Sequence, residues 1–245
     1  MNVEEKYKKL TQREHILLRS GMYIGETKKT IEEKWVFDVE TEKIIKKVVE
    51  YSPAFLKLFD EILTNATDHS FRDKTLTQIK ININIETGEI SVYNNGEGIP
   101  VVIHKEHNIY VPELIFGHLL SGENYNDNTK RIGGGMNGLG ATLVNIYSTF
   151  FKVETVDSNL KLKFEQVFKN NMLEKSKPKI TKSNVKSYTR ITYITDFKRF
   201  GMNLIDKDTL SLLLKRVYDT IVCTDKKISI YYNDKKIDGK GLLDY

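Results

Sequence analysis

The sequence predicts an α+β fold in which a long helix packs against a sheet. Residues 79–85 and 90–94 alternate apolar and polar side chains, as the two strands of a hairpin do. Residues 54–72 carry apolar side chains at helical spacing, with the polar side chains on the opposite face. Hairpins and helices follow one another without a regular βαβ alternation, and this order favours α+β.

The other elements follow from the same patterns. The first part of the chain predicts a helix at 12–19, a turn at 21–25, and a strand or the approach to the long helix at 40–50. After the hairpin, the sequence predicts a helix at 111–120, a turn-rich segment at 121–131 and a second helix at 141–148. The rest of the chain predicts strands at 151–156, 161–168 and 188–194, with an exposed basic connection at 175–186. A helix at 204–218 and a last strand at 227–232 follow.

Composition indicates a globular protein. The 245 residues are 40% hydrophobic and 29% charged, which is ordinary for a folded domain. No apolar run approaches the roughly 18–20 residues of a membrane span, and the first residues are no signal peptide. The single cysteine, Cys223, excludes an intramolecular disulfide. We therefore expect an intracellular protein, in cytoplasm or nucleus, without a membrane partner. The net charge of +5 is compatible with nearby nucleic acid but is weak evidence for it.

One face of the long helix carries candidate catalytic groups. Glu61, Asn65 and Asp68 stand at i, i+4 and i+7 and therefore share a face. Glu61 could accept a proton from water, and the Asn65 side-chain oxygen could bind a hard cation such as Mg²⁺. The alternative is an ordinary solvated helix face, which is the commoner arrangement.

Two glycine-rich segments add possible ligand contacts. The second hairpin strand runs into a glycine turn at 94–98, where the Asn94 amide could hydrogen-bond a purine edge. Residues 133–140 lead into a helix N-terminus, which suits phosphate. This segment is a poor dinucleotide fingerprint because no apolar strand precedes it, and it contains no Walker Gly-Lys-Ser/Thr. An ordinary loop and a flexible linker are the alternatives. Together the three segments provide a base, a metal ligand, a purine contact and a phosphate loop, which is what a nucleotide site requires.

Residues 60–68, 94–100 and 134–140 resemble the three ATP-site motifs of the gyrase, chaperone, histidine kinase and MutL superfamily. Within it the chain resembles type IIA DNA topoisomerases of the eukaryotic, viral and large-phage kind. Further matching stretches lie at 7–17, 22–25, 110–120, 187–193 and 216–219. The resemblance implies a Bergerat-fold two-layer α/β sandwich with a mixed sheet and an N-terminal strap over residues 1–200. It also implies that residues 201–245 begin a transducer domain of ribosomal S5-like fold.

The resemblance also assigns roles. Glu61 would be the general base, Asn65 would hold the Mg²⁺, and Asn94 would recognise adenine. Tyr7 would reach the nucleotide of a partner protomer. Asp68 would only support the polar network of the pocket. The remaining nucleotide contacts would be an adenine neighbour, ribose contacts and a loop around the triphosphate: Gly98, Ile99, Thr189, Gly122, Glu123, Asn124, Gly135, Met136, Asn137, Gly138, Leu139, Gly140, Ala141 and Thr142.

Two positions depart from the eukaryotic pattern. Met136 and Thr142 stand where eukaryotic enzymes have arginine and lysine, so the phosphate contacts of those cationic side chains do not carry over. The family's transducer lysine and its DNA-cleaving modules would lie beyond Tyr245. The isolated chain is therefore expected to bind ATP, hydrolyse it weakly and leave DNA uncut.

The function implied is the ATP-binding and ATP-hydrolysing N-terminal gate of a type II DNA topoisomerase. It would use ATP and Mg²⁺ and form a homodimer on ATP binding, capturing double-stranded DNA through the complete enzyme. Three alternatives remain: an ATPase of another branch of the superfamily, MutL-like or chaperone-like; a nucleotide-dependent dimerisation module; and a plain basic DNA-binding protein.

Overall fold

The computed structural model describes Tyr7, residues 9–121 and residues 138–238. The described helices are α1 Gln12–Leu18, α2 Ser20–Tyr23, α3 Pro53–Arg72, α4 Val111–Gly117, α5 Gly140–Ile146 and α6 Lys207–Cys223, with a 3₁₀ turn at Phe197–Phe200. The described strands are β1 Thr30–Asp38, β2 Lys43–Tyr51, β3 Gln78–Asn84, β4 Glu89–Asn95, β5 Ser148–Asp157, β6 Leu162–Lys169, β7 Glu174–Lys175, β8 Lys179–Lys182, β9 Tyr188–Thr195, β10 Ser229–Tyr232 and β11 Lys235–Lys236.

The main sheet is mixed. Its strands run in the order β11-β10-β3-β4-β9-β5-β6-β7, and β8 also pairs with β6. β10 lies parallel to β3, while the other described neighbours in this sheet are antiparallel. The predicted α+β fold with a mixed sheet is therefore confirmed.

Helix α3 covers one face of this sheet. Its start is fixed by Ser52, whose hydroxyl accepts a hydrogen bond from the Phe55 N–H at 3.3 Å, and by Pro53 in the first turn. Phe55, Phe59 and Ile62 are buried in one continuous core with the inward side chains of the strands. Burying a side chain of this size contributes about 1.5–3 kcal/mol, so the apolar face of α3 holds its polar face in place.

The hairpin of β1 and β2 forms a separate two-stranded sheet. Val36, Val49 and Tyr51 are buried against Leu212 of α6, and the Phe37 ring stacks on Tyr218 at 4.1 Å. The sequence predicts a strand near β2 but does not predict β1. One face of β1 is exposed and charged residues interrupt its apolar pattern, so its partner on α6, far along the chain, decides its structure.

Residues after 200 continue the same body. Helix α6 contacts α3 and the β1–β2 hairpin, and β10 extends the main sheet beside β3. The turn at Asn233 and Asp234, both with positive φ, returns the chain into β11. The division at residue 200 stays a prediction. These contacts give residues 207–236 no separate core.

Two local predictions differ from the structure. The turn predicted at 21–25 is wrong at its start, because Ile24 N–H donates to the Ser20 carbonyl at 2.9 Å and closes a helical turn. The connection at 175–186 contains β8, which pairs with β6 and so satisfies backbone groups that a loop would leave to water. In the described part of the chain, no helix combines the length and apolar character that crossing a membrane requires.

Candidate nucleotide site

A cavity of about 1330 Å³ lies between α3, the inward face of the sheet and the start of α5. From α3 it is lined by Lys57, Glu61, Asn65 and His69. The shared face predicted for Glu61 and Asn65 is thus the cavity wall. Asp68 is half-buried and does not belong to the described lining.

The carboxylate of Glu61 is held between two groups. Lys57 Nζ donates to Glu61 Oε1 at 2.6 Å, across one turn of α3. A Cβ built on Gly140 would collide with Glu61 Oε2. A residue with a side chain at 140 would therefore displace the carboxylate. Asn65, one turn further along α3, has an exposed side chain that borders the cavity.

The strand ends supply a row of inward polar side chains. Asn94 of β4 faces Thr189 of β9, and Thr189 faces Thr155 of β5. Since side chains alternate between the two faces of a strand, all three point to the helix side of the sheet. Asn94 is only 8% exposed, and its Nδ2 donates to the Asn95 carbonyl at 3.2 Å. That bond uses one of the two amide N–H groups, and the side-chain oxygen can accept a hydrogen bond from a ligand.

Gly98 and Ile99 pack on the neighbouring strand. A Cβ on Gly98 would collide with the carbonyl oxygen of Val156. Ile99 N–H donates to Thr155 Oγ1 at 3.0 Å, and the same oxygen lies 3.0 Å from Thr189 Oγ1. The close approach that requires glycine here is to strand β5, and it fixes the loop at the edge of the cavity.

Thr142 packs between helices. It is buried, and its hydroxyl donates to the carbonyls of Ile115 and His118, at 3.3 and 3.2 Å. Its side chain thus joins α5 to the end of α4, and its contact with a triphosphate stays a prediction. Gly138, Leu139, Gly140 and Ala141 line the cavity beside it. The other predicted loop contacts lie outside the described residues: Gly122, Glu123, Asn124, Gly135, Met136 and Asn137.

Comparison with known proteins identifies the family. The profile of the histidine kinase-, DNA gyrase B- and HSP90-like ATPases matches residues 51–192, which include the α3 face and the strand ends described above. This chain belongs to that ATPase family. Within the ATPase family, the "DNA topoisomerase 2" of Acanthamoeba polyphaga mimivirus is 48% identical over 240 residues, covering 96% of this chain and 19% of that protein. The protein of the same name in Candida albicans is 48% identical over 245 residues, covering 100% and 17%.

Solved structures agree with this assignment. The ATPase region of Saccharomyces cerevisiae topoisomerase II superposes with a TM-score of 0.96 at 43% identity, covering 100% of this chain and 65% of that one. The 43K ATPase domain of Thermus thermophilus gyrase B, at 22% identity and a TM-score of 0.62, shares the fold. The predicted relationship to the ATPase region of type II topoisomerases is confirmed. This chain spans less than a fifth of the two curated relatives above.

Asp73 also lines the cavity and was not predicted from the sequence. It is 6% exposed and accepts hydrogen bonds from Thr75 N–H and Oγ1 and from Glu97 N–H, at 2.8, 2.6 and 2.7 Å. Burial acts to raise the pKa of Asp73, but the bonds from Thr75 and Glu97 outweigh it and hold the pKa below its usual range. The Asp-x-Thr spacing after a helix is typical of such a turn and could have revealed it.

Replacing Asp73 by asparagine is expected to lower the free energy of unfolding by about 1–3 kcal/mol. The amide would turn one of two acceptor oxygens into a donor facing a backbone N–H. Urea unfolding measures the loss. The matched control is Asp225→Asn, since Asp225 is exposed and accepts from the N–H two residues later, at 3.0 Å. Equal small losses in both variants would contradict the role given to Asp73.

Asp60, beside Glu61 on α3, faces α6. Its Oδ1 lies 3.2 Å from Arg216 Nε. Burial raises the pKa of Asp60 to about 6, against the opposing effects of Arg216 and Lys57. The folded protein therefore binds this proton more tightly than the unfolded chain, whose Asp pKa is about 3.9.

The charge of Asp60 is accordingly expected to lower stability as the pH rises from about 4 to about 6. Asp60→Asn removes this contribution, so wild type should lose stability relative to the variant across that interval. Urea unfolding of both proteins at several pH values gives the difference, in which the carboxyls that both proteins share cancel. A difference that does not change with pH would show that Asp60 titrates normally.

Proposed function

We propose that this chain is the ATP-binding and ATP-hydrolysing N-terminal gate of a type II DNA topoisomerase, and that it dimerises on ATP binding to capture a DNA duplex. The observation that carries the proposal is the convergence of Glu61, Asn65, Asn94 and Thr189 on one cavity. This convergence occurs in a chain whose family is an ATPase family.

Hydrolysis requires water to attack the γ-phosphate in line with the leaving oxygen. Glu61 is the acceptor for the proton of that water, because its carboxylate lines the cavity where α5 begins. Lys57, 2.6 Å away, keeps one oxygen of the carboxylate in a fixed direction. The other oxygen lies against the backbone at Gly140, where a side chain would push it away.

The site fits Mg²⁺ through Asn65. Its amide oxygen is a hard ligand, its side chain is exposed, and it borders the same cavity as Glu61. When bound with the nucleotide, the ion would neutralise phosphate charge. The protein would contribute one uncharged ligand to the ion, the Asn65 amide oxygen. Phosphate oxygens and water would supply most of the other ligands.

Adenine recognition is assigned to the strand ends. Asn94 offers an amide oxygen that can accept a hydrogen bond from the adenine amino group. Thr189, its cross-strand neighbour, adjoins the same position. Guanine carries an oxygen where adenine has the amino group, so the Asn94 oxygen would face a second acceptor, and the site should prefer ATP to GTP.

The gate is tested by sedimentation of the chain with and without nucleotide. ATP and a non-hydrolysable ATP analogue, each with Mg²⁺, are both expected to convert monomer into dimer, since binding alone closes the gate in this proposal. Tyr7, which is 73% exposed, would reach the partner's nucleotide, and Tyr7→Ala should weaken the dimer while leaving nucleotide binding by the monomer unchanged. A chain that stays monomeric with saturating amounts of both nucleotides would contradict the gate. A dimer that forms with ATP but not with the non-hydrolysable analogue would contradict the clamp mechanism.

A further inference from the structure

The loop between the cavity and α4 is closed by its own backbone. Ile103 and Tyr110 form an isolated β-bridge. Inside it, His104 N–H donates to the Ile109 carbonyl and Asn108 N–H donates to the His104 carbonyl, both at 2.8 Å. Asn108 takes a positive φ of 54° to complete the turn. These bonds therefore hold the backbone of residues 104–108 in a tight turn.

Three side chains of this loop converge. His104, Glu106 and His107 each offer one ligand atom, and the three atoms lie within 4.8 Å of one another. The two imidazole rings lie 4.8 Å apart, centre to centre, with 29° between their planes. Two imidazoles bound to one tetrahedral ion at about 2.0–2.1 Å place their ring centres about 5 Å apart. The centre-to-centre spacing of the two rings is therefore close to that of two imidazoles on one ion.

Bonds among the described residues do not explain the cluster. His104 Nδ1 is buried and has no hydrogen-bond partner among the described residues. Buried polar atoms are almost always satisfied. No described basic side chain forms an ion pair with Glu106 either, although Glu106 and His107 are exposed. His104 thus has a buried nitrogen with no partner among the described residues, and it lies beside a carboxylate and a second imidazole. This combination points to a ligand outside the chain.

We propose that His104, Glu106 and His107 bind a divalent transition metal ion, with Zn²⁺ as the best fit. Two imidazole nitrogens and one carboxylate oxygen are a ligand set that Zn²⁺ accepts, and water would fill the fourth position on the exposed side. Mg²⁺ prefers oxygen ligands, so this site is separate in chemistry from the one assigned to Asn65.

The position of the loop gives the ion a structural role. Tyr110 ends the loop and directly precedes α4, and the α4 end is joined to α5 through Thr142. An ion bound to the loop would hold the start of α4 in place. It would act without touching the nucleotide.

The proposal is tested by titrating the untagged chain with Zn²⁺ and measuring heat. We expect one ion per chain, and millimolar Mg²⁺ should leave the affinity unchanged. His107→Ala should weaken binding at least about tenfold and Glu106→Gln less, as is usual when groups that hold a metal are removed. Both residues are exposed, so these variants should keep the fold, which circular dichroism can verify. His104→Ala should also weaken binding at least about tenfold.

The matched control is His15→Gln, because His15 bonds to Tyr23 at 2.9 Å and lies outside the loop. Its Zn²⁺ affinity should equal that of wild type. With Co²⁺ in place of Zn²⁺, wild type should show visible absorption of tetrahedral strength that His107→Ala lacks. If His107→Ala bound Zn²⁺ as tightly as wild type, or if His15→Gln lost affinity equally, the ion would be held elsewhere and the proposal would be wrong.

Discussion

Replacing Glu61 by glutamine is expected to lower the rate of ATP hydrolysis by about 10²–10⁴-fold while ATP binding persists. Glutamine keeps the size of the side chain and its place beside Gly140, but its amide cannot take a proton from water. The bond from Lys57, 2.6 Å in wild type, can still be made to the amide oxygen. The change therefore removes the base with little disturbance of the cavity.

Steady-state phosphate release in a protein that contains this chain measures the rate, and calorimetric titration with a non-hydrolysable ATP analogue measures binding. Glu86→Gln is the matched control, because Glu86 is exposed in the β3–β4 turn, and it should leave both quantities unchanged. If Glu61→Gln hydrolysed ATP at the wild-type rate, another group would have to accept the proton and the assignment would fail.

Replacing Asn65 by alanine is expected to remove the part of ATP affinity that depends on Mg²⁺. With Mg²⁺ present, ATP should bind at least about tenfold more weakly than to wild type. With a chelator in excess, the two proteins should bind ATP with similar affinity, because the amide is assigned to the ion and not to the nucleotide. ATP titrations of both proteins, with Mg²⁺ and with the chelator, measure how much of the effect of Mg²⁺ on ATP affinity depends on Asn65.

Thr64→Ala is the control for Asn65→Ala, since Thr64 is exposed one position earlier on α3 and does not line the cavity. It should show the full Mg²⁺ dependence of wild type. An Asn65→Ala variant whose ATP affinity falls equally with and without Mg²⁺ would instead place Asn65 against the nucleotide. An unchanged affinity would exclude it from the site.

The local elements of the fold were predictable because their patterns are local. Alternation along β3 and β4 fixes which residues face inward, and the register then brings Asn94 opposite Thr189. The period of α3 places Glu61 and Asn65 on one face for the same reason. The parallel pairing of β10 with β3 joins segments about 150 residues apart. No local pattern contains it.

The features that the sequence does not predict depend on contacts between residues far apart in the chain. β1 is a strand because α6 covers its inner face, and its charged outer face hides the alternation. The Thr155 hydroxyl accepts a hydrogen bond from the Ile99 N–H. The two residues lie far apart in the sequence, so the residues near either one do not indicate the bond. Thr142 lines the cavity, and its contact with a phosphate stays a prediction. Its hydroxyl also bonds to the carbonyls of Ile115 and His118, a distant contact that the sequence near Thr142 does not indicate.

The most direct test of the ATP site is a crystal structure of this chain with a non-hydrolysable ATP analogue and Mg²⁺. We expect the adenine amino group within hydrogen-bond distance of Asn94 Oδ1, the ion at Asn65, and a water between the γ-phosphate and Glu61. A nucleotide bound outside the cavity, or an adenine turned away from Asn94 and Thr189, would contradict the account.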